Sequence, residues 1–173
     1  MSAKRILLVL AATTVGITAG VMFCYQIAVM PGIGRLPDRE FIAAFQSIDD
    51  EIVNPIFVGL TFLGGAVFLV AATVAHRGEP LRFRLLAVAS VVYIVGVVVV
   101  TMAGNVPKND TLADFPVASS TVREAAAARE SFEDSWNRLH VVRTLASITS
   151  LAVLSVALVS GARTNTRTEE SAP

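Results

Sequence analysis

The stretch Trp136-Asn137-Arg138-Leu139-His140-Val141-Val142-Arg143-Thr144 brings an indole, an amide, an imidazole and a guanidinium to the start of an apolar run. At about 100° per residue, Trp136, Asn137, His140, Arg143, Thr144 and Ser147 share an arc of roughly 120°, with Leu139, Val141 and Val142 outside it. Such a face can do acid–base and oxyanion chemistry. His140 is the side-chain type that titrates near neutral pH and is read as a general base. The planar fork of Arg143, with Asn105 or Asn137, can stabilise an enolate or a peroxide anion in a water-poor site. The plainer alternative is interfacial anchoring, since Trp and Arg often mark the end of a transmembrane helix. Ionisable groups deeper in a span are costly and carry a functional reading by default.

The elements that must position this face lie in lipid. The 173-residue chain is 54% hydrophobic and 16% charged, with a mean hydropathy of +0.65, which reads as an integral membrane protein. Its 14 basic and 14 acidic residues cancel, and no basic tract argues for nucleic acid. The single cysteine, Cys24, can form no internal disulfide and is expected to pack as a small apolar residue.

Lys4 and Arg5 precede an apolar run, 6–30, that is too long for a signal peptide and long enough to cross a hydrocarbon core of roughly 30 Å. Gly16-xxx-Gly20 within it allows close approach of another helix. Tyr25 and Gln26 lie near its far end, and Pro31-Gly32 is expected to stop it. Pro37-Asp38 then opens an amphipathic surface helix near 38–53, with Asp38 as its cap and Phe41, Phe45, Ile48 and Ile52 on one stripe. It would lie on the membrane or over the mouth of the bundle, with membrane anchoring favoured. Asn54-Pro55 starts span two, 55–75, and span three covers 81–104, closed by Asn105-Val106-Pro107-Lys108-Asn109. Thr121-x-x-Glu124 reads as a capping box, and Ser131-x-x-Asp134 as a restart before span four, 139–159. The residues from 160 to 173 form a short polar tail, expected to be disordered.

The expectation is thus a single all-α domain, 1–173: a four-helix transmembrane bundle, up-down-up-down. Seven basic residues crowd the short segments on the side of the termini, and seven spread over the longer opposite loops. The positive-inside rule therefore places both termini in the cytoplasm, with the plasma membrane as the expected location. Alternating direction delivers Tyr25, Gln26, Asn54, Asn105, Asn109 and the Trp136–Arg143 face to one mouth. Random anchoring would decorate both ends. The result would be a pocket with apolar walls and a polar rim, suited to a flat apolar molecule with a polar edge.

Metal and haem sites are not expected, because the two histidines, His76 and His140, fall on opposite sides of the bilayer, with no cysteine cluster to replace them. There is no phosphate loop or nucleophile elbow. Four spans without an inverted repeat argue against a transporter.

Met30-Pro31-Gly32, Phe41-Ile42-x-x-Phe45-Gln46, Asn54-Pro55-x-Phe57, Thr101-x-x-Gly104-Asn105-Val106-Pro107-x-Asn109 and Trp136-Asn137-x-x-His140-x-x-Arg143-Thr144 together resemble the anthrone oxygenase-like family of four-span membrane proteins. The resemblance runs from about Arg5 to Gly161. It implies oxidation of a lipid-soluble phenolic or anthrone-like substrate by O₂ with no cofactor. Under that reading His140, or a water it holds, removes the acidic C–H proton. Trp136 stacks on the rings, and Arg143, Asn105 and Asn109 hold oxygens, with Asn137, Asn54, Gln26 and Tyr25 also binding substrate. The alternative is a non-catalytic four-span protein that binds a lipid or quinone or supports a membrane partner.

Overall fold

In lipid a chain must satisfy its own backbone, and this sequence does so with helices alone. The computed structural model describes residues 2–160, among which there is no strand; the expected tail lies, from residue 161 on, outside them. Four helices are long and apolar enough to cross a membrane: α1 (Ala3–Ile33), α3 (Pro55–Ala75), α4 (Pro80–Ala113) and α5 (Val122–Ser160). The shorter α2 (Asp38–Ile52) lies between the first two. Ile17, Val67, Val91, Val95 and Ile148 are exposed on the long helices, a surface that suits lipid and would be an aggregation liability in water. Some buried hydroxyls are satisfied within their own helices, as where Thr18 donates to the Thr14 carbonyl and Thr73 to the Leu69 carbonyl, and others across helices, as where Ser150 donates to the Ala89 carbonyl.

The prolines do not end the helices as expected. Pro31 and Pro107 each sit just after a five-residue π-helical turn, Tyr25–Val29 and Thr101–Asn105. A proline lacks the N–H that an α-turn would use and crowds the carbonyl four residues back. Widening the turn accommodates both effects, so α1 continues to Ile33 and α4 to Ala113. The two wide turns carry Tyr25, Gln26, Thr101 and Asn105.

Nor does α5 restart near Ser131. The Thr121 capping box forms, with the Thr121 N–H donating to Glu124 Oε2 at 2.7 Å and the Glu124 N–H donating to Thr121 Oγ1 at 3.2 Å. Ser131 instead donates to the Ala128 carbonyl inside the helix. With neither glycine nor proline between 122 and 160, nothing breaks the rod. Its 39 residues reach about 58 Å at about 1.5 Å each, far more than a hydrocarbon core of roughly 30 Å requires. The N-terminal part is surplus to the crossing, and α2 packs on it.

α2 is amphipathic as expected, but protein rather than lipid covers its apolar face. Phe41, Ile42 and Phe45 are buried against Phe132, Trp136 and Leu112. The Phe45 ring meets Phe132 at 4.7 Å and Trp136 at 5.4 Å, both edge-on. Gln46 Nε2 donates to the carbonyls of Leu112 and Phe115 at 2.8 and 3.0 Å. Asp38 makes no cap hydrogen bond and sits in the first turn. There it accepts from Arg129 Nη1 at 3.1 Å, while Arg129 also donates to the carbonyls of Gly34 and Leu36. α2 is therefore a roof over the bundle.

Close helix approach uses other glycines than the expected pair. A Cβ on Gly20 would meet nothing, and one on Gly16 only the end of Leu151. At Gly96 it would collide with the Ala146 Cβ, and at Gly65 with the Tyr93 hydroxyl, which donates to the Phe62 carbonyl at 2.9 Å. Cys24 is exposed rather than packed.

Candidate functional site

Beneath the α2 roof lies a cavity of about 310 Å³. Val21 and Met22 of α1, Phe57 and Phe62 of α3, and Met102 and Val106 of α4 form its apolar wall, and Phe45, Ile48 and Asp49 hang into it from α2. Tyr25, Thr101, Asn109, Asp110, Trp136, His140 and Arg143 supply the polar groups.

The three α5 residues work as a unit because spacings of three and four place them one above another on a helix face. His140 stacks on Trp136 at 4.8 Å between centroids and 15° between planes, and the Arg143 guanidinium lies 4.8 Å from the same indole ring. Arg143 Nε donates to His140 Nδ1 at 3.0 Å, and His140 Nε2 lies 3.0 Å from the Met22 carbonyl. A guanidinium N–H can only donate and a carbonyl can only accept. Nδ1 is therefore the accepting nitrogen and Nε2 carries the hydrogen, and both are engaged.

Arg143 is 7% exposed, yet none of the ion pairs among the described residues involves it. Besides the His140 bond, its Nη1 makes one long contact, 3.5 Å, to Thr101 Oγ1. A buried cation without a counter-charge is expensive in this setting. The rest of its fork has no hydrogen-bond partner among the described residues and borders the cavity.

On the far edge of Trp136 a second chain of contacts leads to the roof. The Trp136 indole N–H donates to Asn109 Oδ1 at 2.7 Å, and Asn109 Nδ2 donates to Asp49 Oδ1 at 2.7 Å. Because an indole N–H is only a donor, it sets which way round the Asn109 amide sits. Asp49 holds its proton more tightly than an ordinary aspartate. Burial is the main cause, Asp50 and Asp110 add to it, and Asn109 and Arg143 oppose it.

Of the residues expected at the site, Tyr25, Asn109, Trp136, His140 and Arg143 line the cavity. The rest do not. Asn105 is buried behind the wall, donating Nδ2 to the Trp136 carbonyl at 3.3 Å. Among the described residues its Oδ1 has no partner, and neither has Gln26 Oε1. Asn54 is the N-cap of α3, accepting from the N–H groups of Ile56 and Phe57 at 3.0 and 2.9 Å. Asn137 is half-buried and off the wall. The sequence reading overlooked Asp49, which follows Phe45 by four residues on the same stripe and so could have been seen to share its face.

Residues 50–153 match the family model for anthrone oxygenase, well over half of the chain. The chain belongs to the anthrone oxygenase family. A search of curated proteins and a search of solved structures each found no match. The span matched to the anthrone oxygenase family takes in Asn109, Trp136, His140 and Arg143. It leaves out α1 and most of the roof, and therefore Tyr25 and Asp49.

Proposed function

We propose that this protein is a membrane-embedded oxygenase that uses O₂, without a cofactor, to oxidise a flat, lipid-soluble phenol or anthrone. The observation that carries this reading is Arg143: a buried guanidinium, in no ion pair among the described residues and clamped by His140, bordering a cavity whose wall is largely apolar. Such a group favours a ligand that is apolar in bulk and develops negative charge on one oxygen, as an anthrone does when it becomes an enolate. Trp136 and Asn109 border the cavity beside it. The cavity is of a size that holds a small tricyclic molecule.

In this reading His140 is a positioning residue rather than the base, because its Nδ1 holds Arg143 and its Nε2 holds the α1 backbone. The lipid-soluble substrate and O₂ enter from the membrane. Both termini lie in the cytoplasm, with the protein in the plasma membrane, since the short, arginine-rich turn at Arg77 and Arg82 shares a side with Lys4.

Purified protein in mild detergent and metal-free buffer tests the reading. O₂ uptake with an anthrone, yielding one quinone per O₂, is the expected result. A co-purifying lipid or quinone, seen by native mass spectrometry, without any turnover of anthrones would replace it with a binding function.

A further inference from the structure

With both nitrogens of His140 engaged, oxidation at this site needs another group to take the substrate proton. Within the cavity wall, Asp49 and Asp110 are the carboxylates. Asp110 is exposed at the rim and makes no side-chain hydrogen bond among the described residues. Asp49 is half-buried, and among the described residues only its Oδ1 has a hydrogen-bond partner, the Asn109 amide. That amide is itself oriented by the Trp136 indole. Asp49 is therefore held at the cavity's roof through Asn109 by Trp136, the same residue that stacks on His140.

We propose that Asp49, on the roof helix and oriented through Asn109 by Trp136, is the proton acceptor of the oxidation, its second carboxylate oxygen taking hydrogen from the ring methylene of an anthrone. This rests on the oxygenase reading. The carboxylate removes one C–H proton, and the electron pair stays on carbon, delocalised into the phenolic rings and facing Arg143. That carbanion passes two electrons to O₂ in forming a C–O bond, and the peroxide oxygen takes back the proton from Asp49. Asp49 then removes the remaining hydrogen on the same carbon. The C=O bond forms as the O–O bond breaks, and the departing hydroxide takes the proton from Asp49 and leaves as water. One methylene and one O₂ become one ketone and one water, and the carboxylate is restored.

The groups facing Asp49 define its pH behaviour. They are Asp50 on its own helix, Asn109 and Asp110 on α4, Arg143 on α5 and Tyr25 on α1. Their balance, with burial, holds its proton affinity above that of an ordinary aspartate. Since the protonated acid cannot accept a proton, activity falls as pH drops through that raised value.

Three readouts on the full-length protein in detergent test this: anaerobic exchange of the anthrone methylene hydrogens with D₂O, O₂ uptake, and quenching of Trp136, the single tryptophan, by the quinone product. Asp49→Asn should lower exchange and uptake together by roughly 10²- to 10⁴-fold, the range for a positioned acid–base group. Its quenching should stay unchanged and the acid limb of the pH profile should vanish. Asp49→Glu should recover part of the exchange with an acid limb of its own, and Asp50→Asn, which removes one charge that raises the proton affinity of Asp49, should keep full exchange and uptake with the acid limb moved to lower pH. Wild-type turnover with full exchange in Asp49→Asn, or an unaltered acid limb, overturns the proposal while leaving the oxygenase reading standing. An inactive Asp49→Glu without an acid limb also overturns it. Wild-type protein inert in both exchange and uptake overturns the two together.

Discussion

Arg143 donates its Nε–H to His140 Nδ1 at 3.0 Å, so the one histidine in the cavity wall holds a cation through one ring nitrogen, while the other lies 3.0 Å from the Met22 carbonyl. This contact separates two roles that the spacing of His140 and Arg143 leaves entangled.

His140→Gln removes the ring that stacks on Trp136 and the acceptor that orients Arg143. The expected result is a fall in kcat of about 10-fold or more, because misplacing a charged group by about 1 Å is costly, with the acid limb of the pH profile kept. Disappearance of that limb in this variant would return the base to His140.

Arg143→Lys keeps the charge but replaces a planar fork with a point charge, and a lysine cannot reach His140 Nδ1 and the cavity in the same way. kcat/KM should drop on the order of 10²-fold, the range for losing one preorganised donor, while expression and Tm stay within error. Unchanged turnover would make this arginine architecture.

The roof is held at its entry by Arg129, whose guanidinium contacts the Gly34 and Leu36 carbonyls, Asp38 and Glu133 and lies 4.4 Å from the Phe41 ring. Arg129→Met leaves partly buried acceptors without their charged donor, a loss of roughly 1–3 kcal/mol. Amide hydrogen exchange across Asp38–Ile52 should accelerate at least about tenfold, while the α1, α4 and α5 cores exchange as before. Uniform acceleration across the bundle would show that the roof does not open by itself.

At the α4–α5 contact, Gly96→Ala puts a methyl into the Ala146 Cβ, and neither side can rotate out of the way. Tm should fall by an amount matching roughly 1–3 kcal/mol, and Ala146→Gly in the same chain should restore most of it. An additive loss in the double variant would show that the strain lies elsewhere.

Oxidation should continue after exhaustive chelation and without flavin or haem absorbance. Activity lost on chelation and regained with a metal ion would require a different chemistry at Arg143.

Much of the architecture is legible in the chain itself because lipid leaves few choices. An apolar run long enough to cross must be helical, and at that period Trp136, His140 and Arg143 must share a face. The Thr121–Glu124 cap is equally local, its partners three residues apart. The family is legible too, in the Asn105–Asn109 and Trp136–Thr144 motifs.

Tertiary structure decided what local rules do not reach. Pro31 and Pro107 read as helix ends, yet a chain packed on both sides widens one turn and continues, because breaking the helix would strand backbone groups. Asn54, Asn105 and Asn137 look like site amides by membrane depth, but depth does not set rotation about the helix axis. Packing turned Asn105 onto the Trp136 backbone and left Asn54 as a cap. The stripe of α2 reads the same for lipid as for protein, and only the overlong α5, with Phe132 and Trp136 waiting, settled which covers it. That docking brings Asp49 to Asn109, 60 residues along the chain, a pairing that no periodicity within either helix encodes.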